Sequence, residues 1–151
     1  MAQLKEYILE DSLSHLMNVS DKLLKNTLSK ALISEGFEIT PEQFSILLSL
    51  WAEDGKCQYE LASCQGKDRA SITRLVDGME KLNLVIRIPS EKDRRIKLVY
   101  LTNKAKEIKS SLINVATETT ARATKGISQE RINLAKDVIK EMIDNLNKDV
   151  E

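Results

Sequence analysis

Residues 57–102 read CQYELASCQGKDRASITRLVDGMEKLNLVIRIPSEKDRRIKLVYLT, and the order of patterns in this stretch decides the fold. A short helical pattern carried by Tyr59, Leu61 and Ala62 meets a turn at Gly66. Asp68 is a helix-capping residue type. From Arg69 to Leu82 the apolar residues Ile72, Leu75, Val76, Met79 and Leu82 fall within one arc of a helix turning about 100° per residue. Asn83 follows, a residue that tolerates the left-handed conformation common just past a helix end. Leu84 to Ile88 and Lys97 to Leu101 are short, apolar and β-branched, and the polar loop SEKDRR between them makes a hairpin the economical reading.

Helix, turn, helix and hairpin in this order describe a winged helix-turn-helix, a shape that sets one helix in the major groove of DNA and a loop beside it. The fold class expected is therefore mainly α with a small β-hairpin wing. Opposite the apolar arc, the helix of residues 69–82 presents Ala70, Thr73, Arg74, Asp77 and Lys81, with Arg69 and Ser71 at the edges. Arg69 or Arg74 can pair with guanine, Ala70 can touch a thymine methyl, and Ser71 and Thr73 can bond bases or phosphates. In the hairpin loop, Lys92, Arg94, Arg95 and Lys97 crowd together with Glu91 and Asp93. Such a loop can follow the phosphate backbone or insert an arginine into a narrow minor groove. Asp93 reads as an orienting partner for these cations, because a carboxylate has no favourable contact with phosphate. Taken alone, the loop would be an ordinary solvated hairpin; its place after a basic-faced helix is what points to DNA.

Outward from this core the chain is helical. Apolar residues recur at helical spacing from Leu4 to about Ile33, with no Gly or Pro before Gly36, which predicts one long amphipathic helix. Thr40, Pro41 and Gln43 form the signature of a capping box, so a second helix starts there and runs through Phe44, Leu47, Leu48 and Trp51 toward Asp54 and Gly55. Thr102 is placed to cap a long helix from Asn103 to around Thr124. Gly126 breaks that pattern and Ser128 restarts it, with a stripe of Ile132, Ala135, Val138, Ile139, Met142 and Leu146. The expected organisation is a helical dimerisation region over 1–38 and 103–151, and a winged helix-turn-helix DNA-binding lobe over 39–102, all one structural domain. Terminal helices with this much apolar surface most simply pair with a second copy of the chain; packing on each other within a monomer is the alternative.

Composition narrows the function classes. At 151 residues the chain can bury roughly 68 to 70% of its unfolded surface and needs no metal or disulfide to fold. Its formal net charge is zero, but the zero is a cancellation. Residues 56–106 hold 12 Lys plus Arg against 6 Asp plus Glu, a net of +6, which coincides with the proposed reading elements. No apolar run approaches the roughly 20 residues that span a bilayer, and the N-terminus is acidic where a signal peptide needs a basic start, so a cytoplasmic location without membrane contact is expected. No Gly-rich phosphate loop, nucleophile with a histidine partner, or paired carboxylates in an apolar setting is present, so no enzymatic activity and no cofactor are expected. His15 is the sole histidine, which argues against a histidine-rich metal site.

The run DRASITRLVDGMEKLNLVIRIPSEKDRRIKLVYLTNKAK, beginning at Asp68, resembles the MarR (multiple antibiotic resistance regulator) family of bacterial transcription factors. Its wing signature is matched by Asp93, Arg95, Val99, Leu101 and Thr102. The resemblance implies a homodimer of triangular outline, with terminal helices of both subunits in the interface, bound to pseudo-palindromic double-stranded promoter DNA. It implies that the helix carrying Arg69 to Arg74 reads the major groove and that Arg94 or Arg95 reaches the minor groove. Four positions depart from the family pattern: Gln65 and Lys67 stand in the turn where apolar residues are usual, Gly78 lies inside the recognition helix, and Asn83 replaces a common glycine.

Members of the family often release DNA on binding a small aromatic or phenolic effector, or on oxidation of a cysteine. The first helix here carries no cysteine. Cys57 and Cys64 are the candidates for a thiol sensor; a helix separates them by about 10 Å, too far for an internal disulfide without local unfolding. Cys57 lies near a helix N-terminus, where thiol reactivity can be enhanced, although buried or inert cysteines are the plainer expectation. Phe44 and Trp51, seven apart on one helix face, read first as core. The expectation is a sequence-specific DNA-binding transcriptional regulator, a repressor released by a small ligand, with a winged-helix protein-interaction module or a cysteine-redox-switched regulator as alternatives.

Overall fold

The computed structural model describes residues 8–149. Two compact units divide the chain, one through Thr119 and one from Thr120. The first unit opens with a 3₁₀ turn, Leu9–Asp11, followed by α1, Leu13–Ser34. This corrects the expectation of one continuous helix beginning at Leu4. Ser12 is extended, and its hydroxyl accepts the amide of His15 at 3.3 Å, so Ser12 caps α1 and ends the turn before it. Leu4 itself lies outside the described residues.

Helix α2, Pro41–Ala52, starts where the capping box predicts. The Thr40 hydroxyl accepts the Gln43 amide at 3.2 Å, and the Gln43 side-chain oxygen accepts the Thr40 amide at 3.1 Å. Phe44 is buried and meets Trp51 edge to face with ring centroids 6.1 Å apart, the core packing that their spacing suggests. The Trp51 indole N–H donates to the carbonyl of Ala105 at 3.2 Å, which fixes α2 against the chain leaving the wing.

Next come β1 (Lys56–Cys57), α3 (Gln58–Gln65), α4 (Arg69–Lys81), β2 (Val85–Pro89) and β3 (Lys97–Leu101). The wing is a three-stranded antiparallel sheet of order β1-β3-β2 rather than a bare hairpin. The extra strand is held by a clip that local sequence cannot announce. Asp54 Oδ1 accepts the amides of Gly55 at 3.0 Å and of Leu101 at 2.9 Å, and Gly55 N donates to Val99 O at 3.1 Å. Gly55 has φ +75°, and a Cβ there would sit 2.7 Å from the Tyr100 ring, so glycine is required.

The helix-turn-helix corner is polar and still satisfied. Gly66 ends α3 with φ 60°. The Gln65 side-chain amide, at a position where the MarR pattern is apolar, donates to Ser45 O and to Ser49 Oγ, both at 3.2 Å, and so ties the corner to α2 by hydrogen bonds. Gly78 also has a local reason. A Cβ on it would meet the Gln43 side-chain nitrogen at 2.9 Å, so the capping glutamine of α2 is seated in the space that the glycine leaves in α4. Alanine at Gly78 should therefore gain less than the ~1 kcal/mol by which alanine exceeds glycine in a helix, because Gln43 must withdraw to make room. In a Gln43→Ala background the full gain should return, read as the difference between urea midpoints of the four proteins.

Asn83 has φ 58°, the left-handed helix end expected of it. Leu32, Ile46, Leu61, Ile72, Met79, Leu84, Val99 and Leu112 share one buried cluster, which draws α1, α2, α3, α4 and the sheet around a common core. Thr102 caps α5 (Asn103–Glu107), and α6 runs over Lys109–Ala123. The expected single helix from Asn103 is thus interrupted at Ile108, whose ψ is −2° while its side chain packs against the core. In the second unit, Ser128 caps α7 (Gln129–Lys148) as predicted. No residue of α7 is buried, and Leu134, Val138, Ile139, Ile143 and Leu146 are exposed. Among the described residues no helix is long and apolar enough to cross a membrane.

Candidate nucleic-acid interface

Helix α4 is positioned by its N-cap, Asp68. The Asp68 carboxylate accepts the Ser71 amide at 2.7 Å and the Ser71 hydroxyl at 3.0 Å, and these bonds, the backbone one foremost, hold its carboxyl below the usual range. The apolar arc then points inward: Ile72, Val76 and Met79 are fully buried, and Leu75 and Leu82 are half-buried against the same core. The opposite arc is in solvent, as the periodicity predicts: Arg69, Ala70, Thr73, Arg74, Asp77 and Lys81 are exposed, and Ser71 is intermediate. The two hydroxyls on this face are already engaged. Ser71 Oγ accepts from Arg74 Nη2 at 3.3 Å besides donating to Asp68, and Thr73 Oγ1 donates to Arg69 O at 2.9 Å while accepting from Gln58 Nε2 at 2.9 Å.

The wing loop is shaped by its own acid. Ser90 N donates to Ile96 O at 2.8 Å and Ile96 N to Asp93 O at 2.9 Å, closing the hairpin. Asp93 Oδ1 accepts from both the amide and Nε of Arg95 at 3.1 Å, and Oδ2 accepts from Nη2 at 3.2 Å. The guanidinium beside it is the main reason that the Asp93 carboxyl lies below its usual range. Arg95 is thereby aimed while its side chain remains 91% exposed. Arg94 and Lys97 are also exposed and form no ion pair among the described residues.

Between the wing and the starts of α3 and α4 lies an open cleft of about 460 Å³ lined by Cys57, Gln58, Tyr59, Arg69, Arg95, Ile96 and Lys97. The structure thus brings Arg69, Arg95 and Lys97 into the lining of one cleft, which the half-buried Cys57 also lines. Ala70, Ser71, Thr73, Arg74 and Arg94 lie outside this cleft, on the exposed face of α4 and at the wing tip. Cys64 is exposed on α3 away from it, and both cysteines are free. Among the described residues no group of three or more His, Cys, Asp or Glu is arranged for a metal ion.

Sequence reasoning missed Arg87. It occupies β2 opposite Val99, on the face of the sheet whose other members, Val85 and Leu101, are buried. Its guanidinium reaches four groups: Gln58 Oε1 at 2.9 Å, Glu80 Oε2 at 3.0 Å, Asp77 Oδ1 at 2.7 Å and the carbonyl of Thr73 at 3.3 Å. The available signal was alternation. In VIRIP the arginine shares the phase of the inward Val85, and an inward charge in a strand requires partners.

A model of the MarR family matches residues 39–97, which span the lobe from the start of α2 into β3. The chain is similar in fold to a MarR-family transcriptional regulator from Rhodococcus sp. RHA1, with a TM-score of 0.81 and 24% identity over 89% of this chain and 94% of that one. It is also similar to the transcriptional repressor CouR bound to a 23-mer DNA duplex, with a TM-score of 0.80 and 24% identity over 94% of this chain and 99% of CouR. CouR from Rhodococcus jostii RHA1 bound to p-coumaroyl-CoA matches with a TM-score of 0.77 and 24% identity over 89% and 94% of the two chains.

Proposed function

We propose, from the match of residues 39–97 to the MarR family model, that the chain regulates transcription by binding pseudo-palindromic promoter DNA as a homodimer, and that it is a repressor released by a small ligand. The cleft carries this reading: a helix end supplies Arg69 and the wing supplies Arg95 and Lys97 to one solvent-open cleft, which suits a phosphate backbone running between them. Arg69, Ala70, Ser71, Thr73 and Arg74 then face the major groove, while Arg94 and Arg95 reach toward the minor groove and Lys97 contacts the backbone. Because Ser71 and Thr73 have their hydroxyl protons committed locally, they act as acceptors or through their carbons, and the arginines carry base reading. The similarity of fold to a repressor bound to duplex DNA supports the same use of these elements.

The regions 1–38 and 103–151 would form the dimer and 39–102 the reading lobe. The exposed apolar stripe of α7 and the exposed Leu13, Leu16, Leu23 and Leu24 of α1 are the surfaces that a second copy would cover. An effector has a candidate seat in a pocket of about 280 Å³ lined by Phe37, Ile39, Leu82, Leu84, Lys104 and Ile108 among others, of a size for a small aromatic or phenolic molecule. This pocket adjoins the end of α4, where Lys104 Nζ donates to Leu82 O at 2.8 Å.

Fluorescence anisotropy with a duplex from the protein's own promoter and a scrambled duplex, across a salt series, tests the function. A preference of about 10³ or more for the promoter, with a steep fall in affinity as salt rises, is expected. Equal weak binding to both duplexes would refute sequence-specific regulation. The same assay checks the wing. Asp93→Asn removes a negative charge from a DNA-facing loop, which by charge alone should tighten binding. If Asp93 orients Arg95, promoter affinity instead falls, while affinity for the scrambled duplex holds or rises.

A further inference from the structure

We propose that Arg87 is a positioning residue for DNA recognition: its guanidinium fixes the wing relative to the recognition helix and contacts no DNA itself. The inference rests on the DNA-binding reading above and adds a residue which that reading does not use. Arg87 lies on β2, its carboxylate partners Asp77 and Glu80 lie on α4, and Gln58 lies at the first position of α3, so one planar group ties three elements. Gln58 closes the arrangement by donating to Thr73 Oγ1, and Arg87 also holds the carbonyl of Thr73, which sits in the middle of the DNA-facing arc.

Two features separate this role from phosphate contact and from plain stability. The Arg87 side chain is only 17% exposed and already faces two carboxylates, so its charge is balanced within the protein. Phosphate contact needs an accessible, uncompensated cation, such as Arg94 or Arg69. As for stability, the partner carboxylates are partly solvated, Asp77 51% and Glu80 35% exposed, so the ion pairs add little that an apolar residue of similar volume would not. What an apolar residue cannot do is fix direction. Val85, Val99 and Leu101 pack the sheet on the core through non-directional contacts, and the covalent link between α4 and β2 is the short turn at Leu82–Leu84. A fork of five donors in a rigid plane, meeting acceptors on two other elements, defines one orientation. Base contacts from α4 and minor-groove contact from Arg94 or Arg95 can be made together only if that orientation is kept.

The test uses two variants that conserve net charge. Arg87→Lys keeps the cation but cannot hold Gln58 and Thr73 as well as both carboxylates. Arg87→Met with Asp77→Asn removes one charge of each sign and preserves the packing stem. Both are compared with the parent by thermal melting and by anisotropy on promoter and scrambled duplexes over a salt series. The expected result is cooperative melting in each, a loss of promoter affinity on the order of tenfold or more, as when one base-reading contact is lost, and unchanged affinity and salt slope on the scrambled duplex. Unchanged promoter affinity in a folded variant would overturn the proposal, leaving the network purely structural. A salt slope lower by about 0.9 in the doubly substituted protein would also overturn it, because Arg87 would then be a phosphate contact. If either variant fails to fold, Gln58→Leu, which keeps the arginine and both carboxylates, carries the positioning test: a loss of promoter affinity with an unchanged salt slope is expected, and unchanged promoter affinity would overturn the proposal. Failure of the DNA-binding reading is distinguishable, since the parent would then show no promoter preference.

Discussion

Alanine at both Arg74 and Arg95 is expected to weaken promoter binding by about 2 to 6 kcal/mol, two base-reading contacts at about 1 to 3 kcal/mol each. Arg74 projects from the exposed arc of α4 with only a 3.3 Å hydrogen bond to Ser71, and Arg95 projects from the wing with Asp93 as its partner. They share no partner, so their effects should add to within about 0.5 kcal/mol. Neither supports the core, and the melting temperature should barely move, as for most exposed substitutions. The scrambled duplex should also lose affinity, but less, because only the phosphate share of each contact is removed. Loss of the fold, or affinity equal to the parent's, would contradict the assignment of these arginines to the reading face.

Glutamates at Val138 and Met142 are expected to separate the proposed dimer into monomers. The two positions lie four apart on α7, where Val138 is exposed and Met142 is intermediate, within a stripe that continues to Leu146. Glutamate keeps helix propensity, so the change acts on association and not on helix formation. Burying carboxylates against a second apolar stripe without partners is strongly unfavourable. Sedimentation should report a monomer. Binding to a duplex with two half-sites should fall by about 10² to 10⁴, the advantage of joining two sites on one rigid partner, and should approach that for a single half-site. A variant that remains dimeric with full affinity would assign the interface elsewhere.

Legibility in the sequence followed locality. Thr40, Pro41 and Gln43 announce α2 because every bond of the capping box lies within three residues. Helix α4 is legible because its buried face repeats at helical period, and Asn83 because a left-handed helix end accepts few residue types. The capping type at Ser12 was available in the same way, but the unbroken apolar period around it pointed to a longer helix. The break at Ile108 carries no Gly or Pro to mark it; it falls where the isoleucine packs on the core, a tertiary contact that local sequence does not announce.

Strand β1 was not legible for a different reason. Two residues have no period, and Lys56–Cys57 is a strand only because Asp54 and Gly55 fasten the chain to β3, more than 40 residues on. For the candidate site, exposure and sign of charge could be read from the helical arc, and the aiming of Arg95 by Asp93 from two residues in sequence. The engagement of Thr73 and the network around Arg87 could not, because they join Gln58, Thr73, Asp77, Glu80 and Arg87 across three elements. Charge counting placed Arg87 in the basic segment, whereas its partners neutralise it.

The measurement that bears most directly on the proposed DNA reading by α4 and the wing is a footprint of the protein on a promoter duplex, with guanine N7 methylation reporting the major groove and hydroxyl radical cleavage the minor groove. Two patches of protected guanines are expected, their centres one helical turn or a multiple apart, with a turn of about 10 to 10.5 base pairs, each flanked by minor-groove protection where Arg94 and Arg95 reach. Uniform protection along the duplex, or major-groove guanines left open to methylation while the protein is bound, would contradict it.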